Sequence, residues 1–467
     1  MFTFYTTGAA LSLKKNDTVE LNIESITDLG FGVGRHGGEV IFVSGAVTGD
    51  KVRAKIIKAA KDYAVGIVME YTERSEIRVD GRCENALCHS CAYKHIDYGY
   101  ELSLKRETVV SAFKKNGLGK VKVLPAVGSP TVCGYRNKAQ YPVQKNARGE
   151  YVIGFYAPKS HRVTEAADCP LSPTEFGDIL GVLRAFFERH SISVYDEKSG
   201  EGLIRHIYLR RGEITGEILL TLVISGEEIP HSEELVSVIT EKFTDVRGIL
   251  LNINKKNTNV ILGDKYVTLY GRDYIFDTLA GVKLKISAPS FYQVNRAAAE
   301  MLYNKAKELA EPKPNELILD LFCGAGSIGL SMAKEAGEII GVEIVAAAIE
   351  CAKFNARANG IENASFYVGD ATDTEKLLSI AEAARGKKII PDTVILDPPR
   401  GGCDAALLDF ILRLNPKKIV YISCKPQTLA RDCAILEKGG YSVGEVTPFD
   451  LFPMTGHVES LVCLTRE

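Results

Sequence analysis

A thiol and a carboxylic acid stand where two buried strands are expected to end. Cys424 follows the apolar run Lys418–Ser423 and precedes a proline that opens a predicted helix, with Thr428 as its expected cap. Asp397 follows the apolar run 393–396 in the same way. Open α/β sheets bind their ligands at the carboxyl ends of their strands. A buried cysteine is often only a small apolar residue, so position alone leaves both a nucleophile and a packing residue open for Cys424.

A glycine-rich turn marks a second candidate site. The segment Asp320-Leu-Phe-Cys-Gly-Ala-Gly326 joins a predicted strand to a predicted helix, and Glu343 ends the next strand. Glycine at such a turn lets the backbone approach a cofactor closely. An acidic residue about 20 positions later can accept hydrogen bonds from ribose hydroxyls. Dehydrogenases share glycine turns, but here the glycines follow Asp-x-Phe-Cys, and the motifs further along the chain are not those of dehydrogenases.

The cysteines form a third candidate site. Four residues separate Cys83 from Cys88 and two separate Cys88 from Cys91, a spacing known from iron–sulfur ligation with a distant fourth cysteine. Cys169 is our candidate for that fourth ligand. Zinc is the alternative, since sites of four cysteines also bind it, and unliganded thiols remain a third interpretation. The odd total of 11 cysteines argues against a disulfide framework.

The N-terminal part of the chain alternates like the short strands of a small closed barrel. The glycine-rich stretch 30–38 is similar to that of the TRAM domain, an RNA-binding barrel, and its glycines permit bulges or sharp bends. Lys51, Arg53, Lys55 and Lys58 add positive charge nearby. We expect this barrel to contact RNA, with a purely structural barrel as the alternative.

Length and composition indicate an ordinary multidomain globular protein. The 467 residues predict two to four domains, and 46% hydrophobic and 25% charged residues are typical of soluble chains. No apolar run is long enough for a bilayer, and Met1–Leu11 lacks the features of a signal peptide. We therefore expect a cytoplasmic protein. A net charge of −2 means that any nucleic-acid binding must come from local basic patches.

Three ordered motifs identify a family. Ser423–Asp432 reads Ser-Cys-Lys-Pro-Gln-Thr-Leu-Ala-Arg-Asp, Asp397–Arg400 reads Asp-Pro-Pro-Arg, and Thr455–Ser460 reads Thr-Gly-His-Val-Glu-Ser. Together they resemble the RNA (uracil-5-)-methyltransferases that use S-adenosylmethionine, above all the 23S ribosomal RNA branch of the RlmD and RlmCD type. The resemblance covers nearly the whole chain.

The resemblance implies three domains: an OB-like TRAM barrel over 12–72, a mixed α+β middle domain over 73–288 that carries the cysteines, and a Rossmann-like methyltransferase domain over 289–467. It also implies that the helix at about 98–116 packs on the methyltransferase domain. The expected assembly is a monomer without a membrane anchor or an obligate protein partner.

The resemblance also assigns roles to residues. Cys424 is the expected nucleophile, which attacks uracil C6, and Glu459 is the expected base, which removes the C5 proton. Arg136 and Lys138 are expected to contact RNA, and Cys83, Cys88, Cys91 and Cys169 are expected to hold a [4Fe–4S] cluster. The positions expected to bind S-adenosylmethionine are Gln293, Phe322, Gly324, Ser327, Glu343, Asp370 and Asp397.

Other functions stay open at this stage. The expected substrate is 23S rRNA; tRNA is the first alternative. A second alternative is a catalytically inactive RNA-binding factor in ribosome assembly, against which the intact Cys424 and Glu459 argue. An amino-methyltransferase is a third, but it would carry an aromatic residue in place of Arg400. Lys425 and Arg431 are the nearby cations that could lower the pKa of the Cys424 thiol, and the sequence does not choose between them.

Overall fold

The computed structural model describes residues 13–466, apart from 84, 86, 87, 89, 159 and, within 371–387, all but 375, 379 and 382. The described chain divides into two compact units, of which the first comprises residues up to 105 together with 452–457 and the second comprises 106–451 together with 458–466. Among the described residues, no helix has the length and apolar character needed to cross a membrane.

The first unit contains a closed five-stranded barrel. Its strands are β1 (Thr18–Ile26), β2 (Phe31–His36), β3 (Glu39–Ser44), β4 (Lys51–Ala59) and β5 (Ala64–Glu73), arranged in the order β1-β2-β3-β5-β4. Buried residues alternate with exposed ones from Thr18 to Glu24, where Val19, Leu21 and Ile23 point inward, as the pattern predicts. A Cβ at Gly32 would lie 2.9 Å from Ala46 and Ile23. The expected barrel is therefore confirmed, and Gly32 is there because the barrel wall leaves no space for a side chain.

Helix α1 (Tyr98–Lys115) leads into the second unit. Its residues Val109, Ala112 and Phe113 belong to the same apolar core as Leu319 and Leu396, which lie in the strands of the C-terminal sheet. The C-terminal half of this helix therefore packs on the sheet that carries the candidate site.

The middle part of the second unit is a seven-stranded sheet. Its strands are β6 (Lys138–Lys145), β7 (Tyr151–Tyr156), β8 (Val163–Glu165), β9 (Ile204–Arg211), β10 (Ile218–Ile224), β11 (Val246–Ile253) and β12 (Lys265–Gly271). The strand order is β12-β11-β10-β9-β6-β7-β8, and β10–β11 is its parallel pair. Helices α2 (Thr174–Arg189) and α3 (Ser232–Lys242) share an apolar core with it. The hairpin β13 (Tyr274–Leu279) and β14 (Val282–Ser287) follows.

The C-terminal part is a doubly wound α/β sheet. Its strands are β15 (Leu317–Leu321), β16 (Glu338–Glu343), β17 (Ala364–Val368), β18 (Thr393–Leu396), β19 (Lys418–Ser423), β20 (Ser442–Val443), β21 (Thr447–Phe449) and β22 (Glu459–Thr465). The order is β17-β16-β15-β18-β19-β22-β20, with β21 paired to β22. Strands β15 to β19 run parallel and β22 runs antiparallel to β19. The strand order changes direction between β15 and β18. Sheets of this kind bind their ligands at that point.

Among the residues that the structure describes, five helices accompany this sheet: α4 (Arg296–Ala310), α5 (Ser327–Met332), α6 (Ala346–Ala358), α7 (Ala405–Leu414) and α8 (Pro426–Lys438). Pro426 stands in the first turn of α8, where its missing N–H costs nothing. The expectation that Thr428 caps this helix is wrong. Its hydroxyl instead donates to the carbonyl of Lys425, at 3.0 Å, because the helix has already begun.

Candidate active site

The turn between β15 and α5 forms the floor of the site. Phe322, Gly324 and Gly326 all have left-handed backbone conformations, with φ of 66°, 53° and 80°. Such a conformation is strained for Phe322, and strain of this kind clusters at ligand-binding turns. The buried Asp320 stabilises the turn, because its Oδ2 accepts a hydrogen bond from the amide of Gly329 at 3.0 Å. The glycines leave the upper side of the turn free of Cβ atoms.

Two side chains hold the turn from the other side. Glu343 ends β16, and its carboxylate accepts hydrogen bonds from the amides of Gly324 at 3.2 Å and Val345 at 2.9 Å. Asn355, fully buried on α6, donates to the carbonyl of Ala325 at 3.0 Å and accepts from the amide of Lys285 at 2.9 Å. The turn is therefore held in one shape before any ligand arrives.

A cleft with an empty volume of about 490 Å³ lies over this turn. Apolar and aromatic side chains supply much of its lining, among them Leu279, Phe291, Tyr292 and Phe322. Five of the residues predicted to bind a cofactor line it: Gln293, Phe322, Gly324, Ser327 and Asp397. An apolar cleft with a few convergent polar groups is typical of a small-molecule site.

The polar side of the cleft is held by neighbours that the sequence did not single out. Tyr303 on α4 lies with its hydroxyl 3.3 Å from the Ser327 hydroxyl. Asn137 donates from its side-chain amide to the carbonyl of Gln293 at 2.8 Å. Asn295 begins α4 by accepting a hydrogen bond from the amide of Ala298 at 3.2 Å. These contacts fix the segment that carries Gln293 beside the cleft.

The strand register brings Cys424 and Glu459 together. Ser423, the last residue of β19, pairs with Ser460 on β22. Cys424 directly follows Ser423 and Glu459 directly precedes Ser460, so the antiparallel register brings the two residues to the same end of the strand pair. Asp397 directly follows β18, the other neighbour of β19. The thiol and both carboxylic acids therefore lie at one edge of the sheet, beside the cleft.

The acidic groups at this edge are desolvated. Burial and the neighbouring Asp397 raise the pKa of Glu459 to about 8, and burial raises the pKa of Asp397 to about 7. Burial, followed by the charges of Glu459 and Asp397, also raises the pKa of the Cys424 thiol. The site therefore holds its thiol protonated at neutral pH, and the thiol must lose its proton when it reacts.

The cation that acts on this thiol is Arg400. Its charge partly offsets the rise in the pKa of both Cys424 and Glu459. Arg431, which the sequence offered for this role, instead donates to the carboxylate of Asp432 at 2.7 Å and to the carbonyl of Cys403 at 2.9 Å. Arg431 therefore stabilises the loop after β18 and has a structural role.

The remaining predicted residues lie at four places. Glu343 touches the glycine turn, whereas Asp370 stands exposed two residues beyond β17. Lys138 begins β6, half-buried, and burial together with Arg210 and Arg136 lowers its pKa to about 8. The half-buried cysteines fall in both units, with Cys83, Cys88 and Cys91 before α1 and Cys169 between β8 and α2.

Comparisons with known proteins now give this site a class. The family model described as tRNA (Uracil-5-)-methyltransferase matches residues 249–467, and that of the TRAM domain matches residues 13–69. The chain is 40% identical over 460 residues to an RNA methyltransferase of Clostridium acetobutylicum, with 98% of each chain covered. It is also 40% identical over 456 residues to an RNA methyltransferase of Halalkalibacterium halodurans, covering 97% of this chain and 98% of that one.

A solved structure resembles almost the whole chain. The Pyrococcus abyssi tRNA (uracil-54, C5)-methyltransferase, in complex with S-adenosyl-L-homocysteine, superimposes with a TM-score of 0.77 at 28% identity. The match covers 96% of this chain and 100% of that one. The fold and the site thus define an S-adenosylmethionine-dependent methyltransferase that acts on RNA. The chain belongs to the RNA (uracil-5-)-methyltransferase family.

The cleft fits the methyl donor of this family. Aromatic and aliphatic side chains can enclose the adenine, and the Glu343 carboxylate stands at the strand end where ribose hydroxyls are bound in such sheets. Asp320 Oδ1 is buried under the turn without a hydrogen-bond partner among the described residues. The confirmed fold class, barrel and cofactor follow from motifs, whereas Tyr303 and Asn355 lie in segments whose sequence gives no such signal.

Proposed function

We propose that this protein methylates C5 of specific uridines in 23S rRNA through a covalent adduct between Cys424 and uracil C6. The observation that carries the proposal is that the strand register brings Cys424 and Glu459 to one end of the β19–β22 pair, beside β18, which Asp397 of the donor cleft directly follows. A nucleophile and a base so placed can act on the two adjacent carbons of one pyrimidine ring.

The chemistry needs both residues. Uracil C5 is a weak nucleophile until a thiolate adds to C6, which turns the ring into an enolate with electron density at C5. Bound S-adenosylmethionine supplies the methyl group. C5 then carries a methyl group and a proton. Glu459, in its ionised form, takes that proton, the bond between C6 and the Cys424 sulfur breaks, and the thiolate is released with 5-methyluridine.

The target base must leave its stack to reach this edge. Flipping a base costs a few kcal/mol and costs least in loops and single strands. Sequence-specific RNA recognition also favours unpaired regions. An unpaired region of rRNA is therefore a suitable substrate.

The barrel and the cysteines support the rRNA branch. The basic residues of β4 contribute less charge than their number indicates, because Lys51 and Arg53 pair with Glu73 and Glu70, at 2.5 Å and 3.0 Å. Lys55 and Lys58 extend from the same strand, and Lys58 stands 5.8 Å from the ring centre of Tyr63. A cation beside an aromatic ring is a combination that single-stranded RNA binders use.

The second candidate substrate is tRNA. The observation that favours it is the similarity over nearly the full chain to an archaeal enzyme named for uracil 54 of tRNA. The two substrates predict the same chemistry at Cys424 and differ only in the RNA that is modified.

We also propose that Cys83, Cys88, Cys91 and Cys169 hold a [4Fe–4S] cluster with a structural role, with zinc as the alternative. The donor set suits both, since half-buried thiols bind iron–sulfur clusters as well as zinc.

The deciding experiment is a covalent trap. The protein is incubated with S-adenosylmethionine and 5-fluorouridine-substituted transcripts, either 23S rRNA fragments or tRNA, and resolved on denaturing gels. Fluorine at C5 cannot leave as a proton, so the adduct should persist on the true substrate. Adduct on tRNA alone would replace the rRNA proposal. An absence of adduct on every transcript, with RNA and donor binding intact, would indicate an inactive assembly factor or another methyl acceptor.

A further inference from the structure

A second cleft lies in the middle sheet, away from the donor cleft. Its empty volume is about 1370 Å³, and it is lined by the end of β6, the β7–β8 turn, the segment 194–198 and the start of β9. Four of its described lining residues are cationic and two are anionic: Lys145, Arg162, Lys198 and Arg205 against Asp196 and Glu197. The cleft therefore carries a net positive charge in a chain whose overall charge is −2.

Two buried polar side chains line this cleft with unused hydrogen-bonding atoms. Arg205 and His206 are only 5% and 7% exposed. Among the residues that the structure describes, neither Arg205 Nε nor His206 Nδ1 has a hydrogen-bond partner. Leaving such an atom unpaired in the interior is unfavourable, and a ligand with polar edges would offset that cost.

The Arg205 side chain is held in place by the fold. Its Nη1 donates to the carbonyls of Asn254 at 2.7 Å and Lys256 at 2.8 Å. Its guanidinium lies 4.2 Å from the ring centre of Tyr195. The cation and the aromatic ring are therefore set in position together at the wall of the cleft.

His206 is neutral at physiological pH. Burial and the adjacent Arg205 lower its pKa to about 4. A neutral imidazole offers one donor and one acceptor nitrogen, which suits the polar edge of a nucleobase.

Aromatic side chains complete the cleft. Tyr156 is 38% exposed, and its ring lies 5.8 Å from that of His161. Glu197 orders both, since its carboxylate lies 2.6 Å from His161 Nδ1 and accepts from the Tyr156 hydroxyl at 3.4 Å. Ordered aromatic rings among cations are the means by which proteins bind single-stranded nucleic acid.

Strand β6 connects this cleft to the catalytic edge. Asn137, just before β6, donates to Gln293 of the donor cleft, whereas Val143–Lys145 at the far end line the second cleft. The strand between them spans about 20 Å at about 3.4 Å per residue. An RNA strand that delivers a uridine to Cys424 can therefore reach the second cleft.

We propose that this cleft binds an unstacked nucleotide of the substrate RNA, outside the target uridine, with its base on Tyr156 and its polar edge at Arg205 and His206. This inference rests on the proposed function for the identity of the RNA. Lys145, Arg162 and Lys198 would meet its phosphates. Binding at this cleft would increase the affinity for the RNA. It would also help to select which uridine reaches Cys424.

The test compares exposed residues of the cleft with matched residues outside it. Tyr156→Ala is paired with Tyr270→Ala, since Tyr270 is 41% exposed on β12 at the opposite edge of the sheet. Arg162→Ser is paired with Arg148→Ser, since Arg148 is also exposed and lies in the β6–β7 turn. His206→Leu is added with a circular dichroism check, and the two exposed pairs carry the test if it fails to fold.

The first readout is KM for long and short transcripts of the RNA that the fluorouridine trap identifies. Losing one stacking contact should raise KM for the long transcript about tenfold in Tyr156→Ala and reduce the advantage of the long over the short transcript. Tyr270→Ala and Arg148→Ser should match the parent protein. Equal KM values in the cleft variants and their controls would overturn the proposal.

The second readout does not depend on methylation. A single-stranded oligouridylate containing 4-thiouridine is cross-linked by ultraviolet light, and the modified peptide is identified by mass spectrometry. Cross-links at 156–162 or 194–198 support the proposal even if no transcript is methylated. Cross-links confined to other segments would overturn it, as would competition by uridine monophosphate without competition by RNA.

Discussion

Cys424 and Glu459 lie at the same end of the antiparallel pair β19–β22, each one residue beyond the paired Ser423 and Ser460. The sulfur nucleophile and the carboxylic acid are 35 residues apart in the chain (459 minus 424), yet the antiparallel register makes them neighbours. The two residues also interact electrostatically, because the charge of Glu459 raises the pKa of the Cys424 thiol. The pair is therefore an electrostatic unit as well as a geometric one.

Substitutions of Cys424 and Glu459 should block different steps of the methylation reaction. Cys424→Ala removes the nucleophile and should abolish both turnover and the adduct with 5-fluorouridine RNA. Glu459→Gln keeps the nucleophile but cannot take the C5 proton, so a covalent adduct with ordinary RNA should accumulate while turnover falls at least about 100-fold. Denaturing gels and tritium release from C5-labelled uridine measure the two steps.

The matched control is Cys463→Ala, which removes a half-buried thiol from β22, the strand that also carries Glu459. It should keep both the adduct and the turnover. A Glu459→Gln protein that releases methylated product at the parent rate would assign the proton transfer to another residue.

The rate of adduct formation should depend on pH through the Cys424 thiol. Because burial and two carboxylates raise its pKa above the ordinary value of about 8.5, the rate on 5-fluorouridine RNA should still be rising at about pH 9. At a pH where Glu459 is ionised, Glu459→Gln removes one negative neighbour and should shift the profile down by up to about one pH unit.

Arg400→Gln removes the opposing positive charge and should shift the same profile upward. Single-turnover rates across the pH range measure both displacements. Identical profiles in the parent and both variants would show that these charges do not act on the thiol.

The buried carboxylic acids should make the protein less stable at alkaline pH. The folded-state pKa is raised to about 7 for Asp320 and to about 8 for Glu459, above the unfolded values of about 4. The folded state then binds more protons, so the free energy of unfolding falls as the pH rises from about 4 through 8. Glu459→Gln abolishes its own contribution.

Scanning fluorimetry should therefore give Glu459→Gln a melting midpoint close to that of the parent at about pH 5 and a few degrees higher at about pH 8.5. An equal difference at both pH values would mean that the substitution acts through packing and that the pKa of Glu459 is not raised.

Asn355 should support donor binding without touching the donor. Its side chain joins the glycine turn at Ala325 to the amide of Lys285, and removing it takes this partner from two half-buried backbone groups. Asn355→Ala should raise the Kd for S-adenosylmethionine about tenfold, as expected for a loss of about 1–3 kcal/mol. Isothermal titration measures the change.

Asn359 provides the control. It lies one turn further on, pairs with the backbone of Lys283 at 2.9 Å and 2.8 Å, and does not contact the turn. Asn359→Ala should retain the parent affinity. An equal loss of affinity in both variants would indicate a general effect on α6 and its contacts with the hairpin.

The sequence predicts the parts of this site that lie in contiguous motifs. The glycine turn, Asp397, Cys424 and Glu459 each follow or begin a strand, so alternating β and α patterns place them at one edge. The role of Arg431 could not be predicted, because its contact with Asp432 and the loop at Cys403 depends on how α8 packs. The role of Asn355 could not be predicted either, because it depends on a hydrogen bond to the carbonyl of Ala325, 30 residues earlier in the chain.

The last prediction concerns the metal content of the four-cysteine site. If Cys83, Cys88, Cys91 and Cys169 hold a [4Fe–4S] cluster, protein purified without oxygen should contain iron and acid-labile sulfide in equal amounts. Cys88→Ala should lose most of the iron, together with solubility or RNA affinity, because the proposed role is structural. Cys133→Ala, which removes an exposed thiol from the same region, should keep the iron. Zinc without sulfide in the parent protein would replace the cluster with a four-cysteine zinc site, and loss of solubility in Cys88→Ala with full iron content would contradict the ligand assignment.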